Sequence, residues 1–162
     1  ITVIGSVWGN RLFPIYQPRT SIVARGGGIG QGLQMAIGAQ LACPDRKVLC
    51  LAGDGGLVVN LGELGTAVQE RLPIVLVVFN DHGYGVIRNI QDREFGGRRV
   101  AVDLDQPDFV QLGTAFGLES VRVSDAGSFD CLLGEALDRH SPALIEVDMP
   151  AIGEISYGGP PR

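Results

Sequence analysis

Two acidic residues follow two apolar segments of the sequence and could together bind a divalent cation. Asp54 lies in Gly-Asp-Gly-Gly directly after residues 47–52, and Asp81 lies in Asn-Asp-His-Gly-Tyr-Gly directly after residues 74–79. Carboxylate oxygens are hard ligands of the kind that Mg²⁺ and Ca²⁺ prefer. The neighbouring glycines leave backbone N–H groups accessible to phosphate oxygens where a helix begins. The pattern therefore predicts a site for a metal ion and a diphosphate together.

The two carboxylates can meet only if the apolar segments are neighbouring parallel strands. Residues 47–52 and 74–79 are short, apolar and partly β-branched, which is typical of strands buried on both faces. Between them, apolar residues recur at spacings of three and four, so residues 60–71 are predicted to form an amphipathic helix that Pro73 ends. A right-handed crossover through this helix would bring both strand ends to one edge of a sheet.

Further segments continue the alternation of helices and strands. The sequence predicts helices over residues 30–42, 107–116 and 128–139, and strands over residues 120–123 and 143–147. This order predicts an α/β fold, a doubly wound and mostly parallel sheet with helices on both faces. In such folds, ligands bind at the carboxyl ends of the strands.

Composition favours one globular domain and argues against several classes of partner. The 162 residues are 45% hydrophobic and 19% charged, which suits a single compact core. A net charge of −5 argues against nucleic acid and against an anionic membrane surface. Cys43, Cys50 and Cys131 form no CxxC pair, so we expect reduced thiols in the core of a cytoplasmic protein. The first residue is Ile1 and not Met, and we expect a longer polypeptide.

The acidic motifs have a family resemblance that a third segment strengthens. Gly-Asp-Gly at residues 53–55, Asn-Asp at residues 80–81 and the glycine-rich residues 26–39 resemble the cofactor-binding motif of thiamine diphosphate enzymes. Within that family, residues 5–148 are similar to the acetolactate synthase, benzoylformate decarboxylase and pyruvate decarboxylase group. The resemblance implies the thiamine diphosphate-binding fold. It also implies a C-terminal diphosphate-binding domain over residues 1–155, followed by a tail at residues 156–162.

The resemblance further implies a metal site and its ligands. Asp54, Asp81 and the backbone carbonyl of Gly83 would bind Mg²⁺ or Ca²⁺. The family most often has a second Asn at the position of Asp81. An aspartate there adds negative charge beside the metal, but its oxygen is still a competent ligand of a hard cation.

Other residues would hold thiamine diphosphate itself. The large apolar side chain of Ile29 would support the bent conformation of the cofactor, and the carbonyl of Gly27 would accept a hydrogen bond from the aminopyrimidine. Both residues are therefore assigned to catalysis as well as to cofactor binding. The remaining contacts to the diphosphate are expected at Gly53, Gly55, Gly56 and Val86.

Family members activate the cofactor with a glutamate on an N-terminal pyrimidine-binding domain of a neighbouring subunit. No segment here resembles that domain or the middle domain of the family, so the chain is expected to hold half an active site of a homodimer or homotetramer. The activity implied is cleavage or formation of a carbon–carbon bond next to a carbonyl, by a decarboxylase, an acetohydroxyacid synthase or another lyase or hydrolase. The substrate would be a 2-oxo acid or a diketone-like compound. FAD is possible in the complete protein.

Two other functions stay open at this point, together with the role of one segment. An NAD-dependent oxidoreductase domain could use glycines near a strand, although no window within residues 26–32 fits G-x-G-x-x-G. A non-catalytic assembly domain could keep the cofactor site for structure alone. Binding of thiamine diphosphate with metal, of NAD or of neither would distinguish these functions. Residues 88–99 could be a mobile lid or a solvated loop.

Overall fold

The computed structural model describes residues 13–24, 26 and 28–153, and these residues form a parallel four-stranded sheet flanked by helices. Its order is β1-β2-β4-β3, and every pair of neighbouring strands is parallel. This arrangement confirms the predicted α/β class. The strands are β1 (Val48–Gly53), β2 (Ile74–Asn80), β3 (Glu119–Val123) and β4 (Ala143–Asp148).

The helices agree with the predicted alternation but differ from it in detail. The predicted helix at residues 60–71 is shorter, and a separate short helix precedes it directly after β1. The sequence allowed either a mobile lid or a solvated loop at residues 88–99, and residues 88–94 of this segment are helical. None of the helices among the described residues combines the length and apolar character that a membrane span requires. The helices are α1 (Gly32–Ala42), α2 (Asp54–Val58), α3 (Glu63–Gln69), α4 (Gly85–Glu94), α5 (Phe109–Phe116), α6 (Ala126–Asp138) and α7 (Met149–Ile152).

Strand β2 lies at the centre of the fold because both of its faces are covered. Leu76 and Val78 face one apolar core, and Val75 and Val77 face another. All four side chains are buried. This explains the continuous apolar run of the sequence, since a strand between two helical layers has no solvent face on which polar residues would alternate.

Helices cover both faces of the sheet, as the sequence predicted. On one face, Leu33 of α1, Leu64 of α3 and Phe109 of α5 pack in the same core as the inner residues of β2. On the other face, Ala136 of α6 packs with Ile145 of β4 and the central valines. The carboxyl ends of the strands emerge between these layers, at the edge where ligands bind in doubly wound folds.

Aspartates begin two of the helices that follow the site. Asp108 precedes α5, and its Oδ1 accepts a hydrogen bond of 3.0 Å from the Gln111 amide. Asp125 precedes α6, and its carboxylate accepts bonds from both the amide and the hydroxyl of Ser128. These hydrogen bonds hold the pKa of Asp125 below its usual value, and the bond from the backbone amide has the larger effect. The predicted helix start at Ser128 was therefore too late, because Asp125 is the capping residue.

The cysteines differ in their surroundings. Cys50 of β1 is buried, and its burial raises the pKa of the thiol to about 12. Cys43 and Cys131 are exposed, so the expectation that all three cysteines lie in the core was wrong for two of them. Cys43 directly follows α1, and Cys131 lies in α6 at a position open to solvent. All three are free thiols.

Candidate functional site

The register between β1 and β2 brings the two predicted acidic residues to one edge of the sheet. Gly53, the last residue of β1, lies opposite Phe79 of β2. Asp54 follows directly after β1, and Asp81 follows directly after Asn80 at the end of β2. The two carboxyl groups are close enough for the charge of Asp81 to raise the pKa of Asp54. Residues 27 positions apart in the sequence thus share one electrostatic environment.

Asp54 is a buried carboxylate with several hydrogen-bond donors around it. Its side chain belongs to a residue only 3% exposed, and its Oδ2 accepts bonds from the Gly83 amide (2.9 Å) and from Nε2 of Gln106 (3.2 Å). Burial raises the pKa of Asp54 to about 6; the Gly55 and Gly83 amides lower it and Asp81 raises it. A bound cation would remove this penalty, since an opposite charge favours the ionised form.

The 81–83 loop, which carries Asp81, has an unusual backbone that two neighbouring segments hold. His82 has a φ of +58°, a left-handed conformation that costs a non-glycine residue roughly 1–2 kcal/mol. The carbonyl of His82 accepts a bond of 3.1 Å from the Leu104 amide, and the amide of Tyr84 donates one of 2.8 Å to the carbonyl of Val102. These two bonds flank the antiparallel bridge that Gly83 forms with the following loop. The loop is therefore anchored on a second segment of the chain.

Asn80 supports the 81–83 loop from beneath through a buried hydrogen bond. Its Nδ2 donates to Oε1 of Glu146 at 2.8 Å, and its Oδ1 accepts from the His82 amide at 3.1 Å. Glu146 is 2% exposed, and its other oxygen forms an ion pair of 2.9 Å with Nε of Arg122. The two residues of the Asn-Asp motif thus differ, because Asn80 fixes the backbone and Asp81 lies at the edge.

The residues predicted to meet a diphosphate lie at the starts of α2 and α4. Gly53 precedes this helix, and Gly55 and Gly56 lie in its first turn, where amides have no carbonyl partner within the helix. A Cβ at Gly55 would lie 2.7 Å from the ring of Tyr84, so only glycine fits there without displacing the ring. Val86 lies in the first turn of α4, which begins directly after Tyr84.

The glycine-rich segment packs against the loop that follows α2. The carbonyl of Gly30 accepts a hydrogen bond of 2.8 Å from Nδ2 of Asn60. Gly30 has a φ of +81°, and a Cβ there would lie 2.8 Å from Cβ of Val59. Ile29 is 41% exposed and lines a cleft of about 880 Å³ that also reaches Gly56. The structure thus brings the predicted cofactor-supporting residue to the same cleft as Gly53 and Gly56.

One predicted residue is not described by the structure, and some supporting residues were not predicted. Gly27 lies outside the described residues. Asn60, Gln106, Glu146 and Arg122 were missed by the sequence reasoning. The signal for Glu146 was a lone charge within the apolar segment 143–147, which indicates a buried partner. Asn60 and Gln106 gave no local signal, because each contacts a segment that is distant in the sequence.

The donor set at this edge suits a cation that shares its ligands with an anion. Among the described residues, no cluster of three or more His, Cys, Asp and Glu side chains could hold a metal. Two carboxylates and nearby backbone carbonyls leave room in the coordination shell of Mg²⁺ or Ca²⁺, which take six or more oxygens. Phosphate oxygens and water would complete the shell. The site therefore fits a metal ion bound together with a phosphorylated ligand.

The family of the chain follows from a match over most of its length. Residues 5–147 match the family model of the C-terminal thiamine pyrophosphate-binding domain of thiamine pyrophosphate enzymes. The chain belongs to this family. Thiamine pyrophosphate is another name for thiamine diphosphate, so the domain is one that binds this cofactor. The same match disfavours the alternative of an NAD-binding domain.

Individual relatives of this family agree with the assignment. The acetolactate synthase large subunit of Parasynechococcus marenigrum is 38% identical over 80% of this chain and 22% of its own length. The large subunit of acetolactate synthase isozyme 1 from Escherichia coli is 34% identical over 96% of this chain and 28% of its own length. A solved structure, the thiamine diphosphate-dependent 4-hydroxybenzoylformate decarboxylase of Rhodococcus jostii, superposes with a TM-score of 0.72 at 34% identity, covering 82% of the chain and 24% of that protein. The chain thus spans about a quarter of the relatives' length.

The raised pKa of Asp54 predicts a specific pH dependence of stability in the absence of metal. Because the pKa of about 6 in the folded state exceeds the ordinary 3.8, Asp54 destabilises the fold progressively as pH rises from about 4 to 6. Asp54→Asn should therefore be more stable than the native protein at pH 7, and this difference should shrink as pH falls to 4.5. Urea unfolding of both proteins in EDTA between pH 4.5 and 7.5 measures this difference in the free energy of unfolding.

Asp45→Asn is the matched control for this experiment, since Asp45 is an exposed carboxylate after α1. It should show no such pH-dependent difference. Excess Mg²⁺ should remove the advantage of Asp54→Asn at pH 7. A stability difference between Asp54→Asn and the native protein that does not vary with pH would contradict the burial of a titrating Asp54.

Proposed function

We propose that this chain binds the diphosphate of thiamine diphosphate through Mg²⁺ or Ca²⁺ held by Asp54, Asp81 and the Gly83 carbonyl. The observation that carries the proposal is the buried Asp54 carboxylate next to Asp81 at the carboxyl ends of β1 and β2. In a chain of net charge −5, a divalent cation can offset the repulsion between these carboxylates and a diphosphate. Membership of the thiamine pyrophosphate-binding family supports this choice of ligand.

Backbone groups would hold the diphosphate itself. The proposed donors are the amides of Gly55, Gly56 and Val86, and Gly53 allows the chain to turn closely past the phosphates. Support comes from the first-turn positions of these residues in α2 and α4. Helix N-termini favour phosphate because their amides have no carbonyl partner within the helix and the helix dipole is positive there.

We infer a role for the glycine-rich segment in shaping the cofactor. The exposed side chain of Ile29 would pack against the cofactor in the cleft and keep it bent, and the Gly27 carbonyl would accept a hydrogen bond from the aminopyrimidine. The bond between Asn60 and the Gly30 carbonyl supports this role, because it ties the segment to the loop after α2. Ile29 would then set the conformation of the cofactor without contributing to the diphosphate anchor.

The complete protein is proposed to be a thiamine diphosphate-dependent enzyme acting on a carbon–carbon bond next to a carbonyl. The bound cofactor supplies a nucleophilic carbon and takes up the electrons of the broken bond. A 2-oxo acid or a diketone-like compound is the proposed substrate, and decarboxylase, carboligase and hydrolase reactions all fit that chemistry. The names of the relatives, acetolactate synthase and 4-hydroxybenzoylformate decarboxylase, support this class. FAD is a further cofactor expected only from the resemblance.

The complete protein is also proposed to have domains and subunits beyond this chain. Residues 1–155 would form the diphosphate-binding domain, with residues 156–162 as its tail. A middle domain and an N-terminal pyrimidine-binding domain would complete the polypeptide, and the latter would supply the activating glutamate across a homodimer or homotetramer. The chain covers only about a quarter of its relatives, which supports this organisation. A cytoplasmic location is proposed with it.

Substitution of the acidic residues tests the metal site. In the protein expressed from its complete reading frame, Asp54→Ala should weaken thiamine diphosphate binding in Mg²⁺ by ~100-fold or more, because loss of a direct ligand should cost at least as much as loss of an outer contact to the metal. Asp81→Asn should stay within about tenfold of the native affinity, because an amide oxygen still binds a hard cation. Isothermal titration calorimetry measures both affinities, and a titration with NAD tests the oxidoreductase alternative.

Asp45→Ala, at an exposed carboxylate far from the edge, is the control and should bind normally. Native affinity in Asp54→Ala would refute the assignment of Asp54 as a metal ligand. Native protein that binds no thiamine diphosphate in either metal would refute the proposed function as a whole. Binding without turnover in the complete protein would instead favour the assembly-domain alternative.

Ile29→Ala should lower turnover much more than cofactor affinity. The reason is that a shorter side chain loosens the reactive geometry, whereas the metal and diphosphate contacts are unchanged. Stability should change little, because Ile29 is 41% exposed. Steady-state kinetics, cofactor titration and thermal unfolding are compared with Ile152→Ala, at a similarly exposed isoleucine of α7. Equal losses of affinity and turnover would show that Ile29 is ordinary packing.

A further inference from the structure

Arg88 of α4 reaches back to the 81–83 loop with all three of its guanidinium nitrogens. Nη1 donates to the carbonyl of Asp81 (3.3 Å), Nη2 to the carbonyl of His82 (3.1 Å) and Nε to Oδ1 of Asp103 (2.9 Å). The Arg88 side chain is 19% exposed, whereas that of Asp103 is 67% exposed. The guanidinium is thus held between backbone oxygens on one side and a solvated carboxylate on the other.

This contact depends on the left-handed conformation of His82. In extended chain, successive residues face opposite sides, so neighbouring carbonyls cannot meet one donor group. The φ of +58° at His82 turns the chain, and the carbonyls of Asp81 and His82 converge on Arg88. A planar guanidinium with donors in a fixed fork matches two such acceptors. Arg88 therefore stabilises a loop conformation that would otherwise be unfavourable.

Gly83 allows the guanidinium and a second backbone segment to pack closely on the loop. A Cβ on Gly83 would collide with the Val102 carbonyl and would lie 2.5 Å from Nη2 of Arg88. Gly83 also pairs with Asp103 in an antiparallel bridge, and Asp103 is the ion-pair partner of Arg88. The guanidinium thus packs directly on the backbone at Gly83 and joins both sides of the bridge. Movement of Gly83 would require these contacts to break together.

We propose that Arg88 is a positioning residue that sets the geometry, and thereby the selectivity, of the metal site. This inference rests on the proposed function. Arg88 does not bind the metal; it fixes the backbone from which Asp81 and the Gly83 carbonyl are presented. Mg²⁺ demands nearly ideal octahedral geometry at 2.0–2.1 Å, whereas Ca²⁺ accepts flexible coordination. A loosened loop should therefore impair Mg²⁺ far more than Ca²⁺.

The test measures thiamine diphosphate affinity of the complete protein as a function of either Mg²⁺ or Ca²⁺ concentration. Arg88→Met keeps the length of the aliphatic stem and removes all donors. It should raise the half-saturating Mg²⁺ concentration by about tenfold or more, as loss of outer contacts to a metal site does. The half-saturating Ca²⁺ concentration should change by less than about threefold. The half-saturating Mg²⁺ concentration of Arg88→Lys should lie between those of the native protein and Arg88→Met. A lysine can donate to one carbonyl but lacks the fork of a guanidinium.

Arg139→Met is the matched control. Arg139 directly follows α6 and forms an ion pair of 2.7 Å with Glu119 at the start of β3, whereas the proposed metal site lies beyond the ends of β1 and β2. It should leave both metal requirements unchanged. Calorimetric titration gives the affinities, and thermal unfolding of each variant gives its stability.

Three results would overturn the proposal. Unchanged Mg²⁺ dependence in Arg88→Met would show that the loop keeps its geometry unaided. Equal increases in the half-saturating Mg²⁺ and Ca²⁺ concentrations would indicate general structural damage. If Arg88→Met fails to fold, the same comparison is made with Arg88→Lys. Native protein that binds no cofactor with either metal would remove the proposed function and this inference with it, an outcome that the native protein alone reveals.

Discussion

The burial of one carboxylate beside another, at an edge where two strands end, is the constraint on which the site depends. Burial raises the pKa of Asp54 to about 6, and the nearby Asp81 adds to this effect. Such a pair is unfavourable in an empty site and favourable around a divalent cation. The amides that donate to Asp54 reduce the cost without removing it. In the proposed function, a cation would relieve this cost and would in turn allow an acidic chain to bind a diphosphate.

The rest of the fold holds these groups in place from several directions. The parallel pairing of β1 and β2 sets the two strand ends side by side. Beneath the edge, the buried bond between Asn80 and Glu146 fixes the start of the 81–83 loop. Above it, Arg88 contacts two carbonyls of the same loop. A short loop with a strained residue is thus ordered by contacts from β4 and α4, which makes its geometry a property of the whole domain.

The sequence predicted the sheet and the acidic residues because their signals are local. The apolar run of β2 and the Gly-Asp-Gly that follows β1 can be read within a few residues. Helix α2 was not predicted, because its five residues, two of them glycine, are too few to show a helical periodicity of apolar residues. Arg88 was placed in a possible lid because no local pattern shows that its guanidinium turns back onto the loop. Contacts of this kind, like that of Glu146 with Asn80 66 positions away, become visible only once the strands are paired.

The proposed function requires one metal ion that joins the Asp54 and Asp81 carboxylates to the diphosphate of thiamine diphosphate. The most direct measurement is electron–nuclear double resonance of the complete protein with Mn²⁺ in place of Mg²⁺ and with the cofactor bound. We expect ³¹P couplings from the cofactor phosphates to the manganese, which require phosphate oxygens in its coordination shell. The couplings should be lost in Asp54→Ala. Manganese bound to the native protein without any ³¹P coupling would show that the metal does not join the carboxylates to the diphosphate.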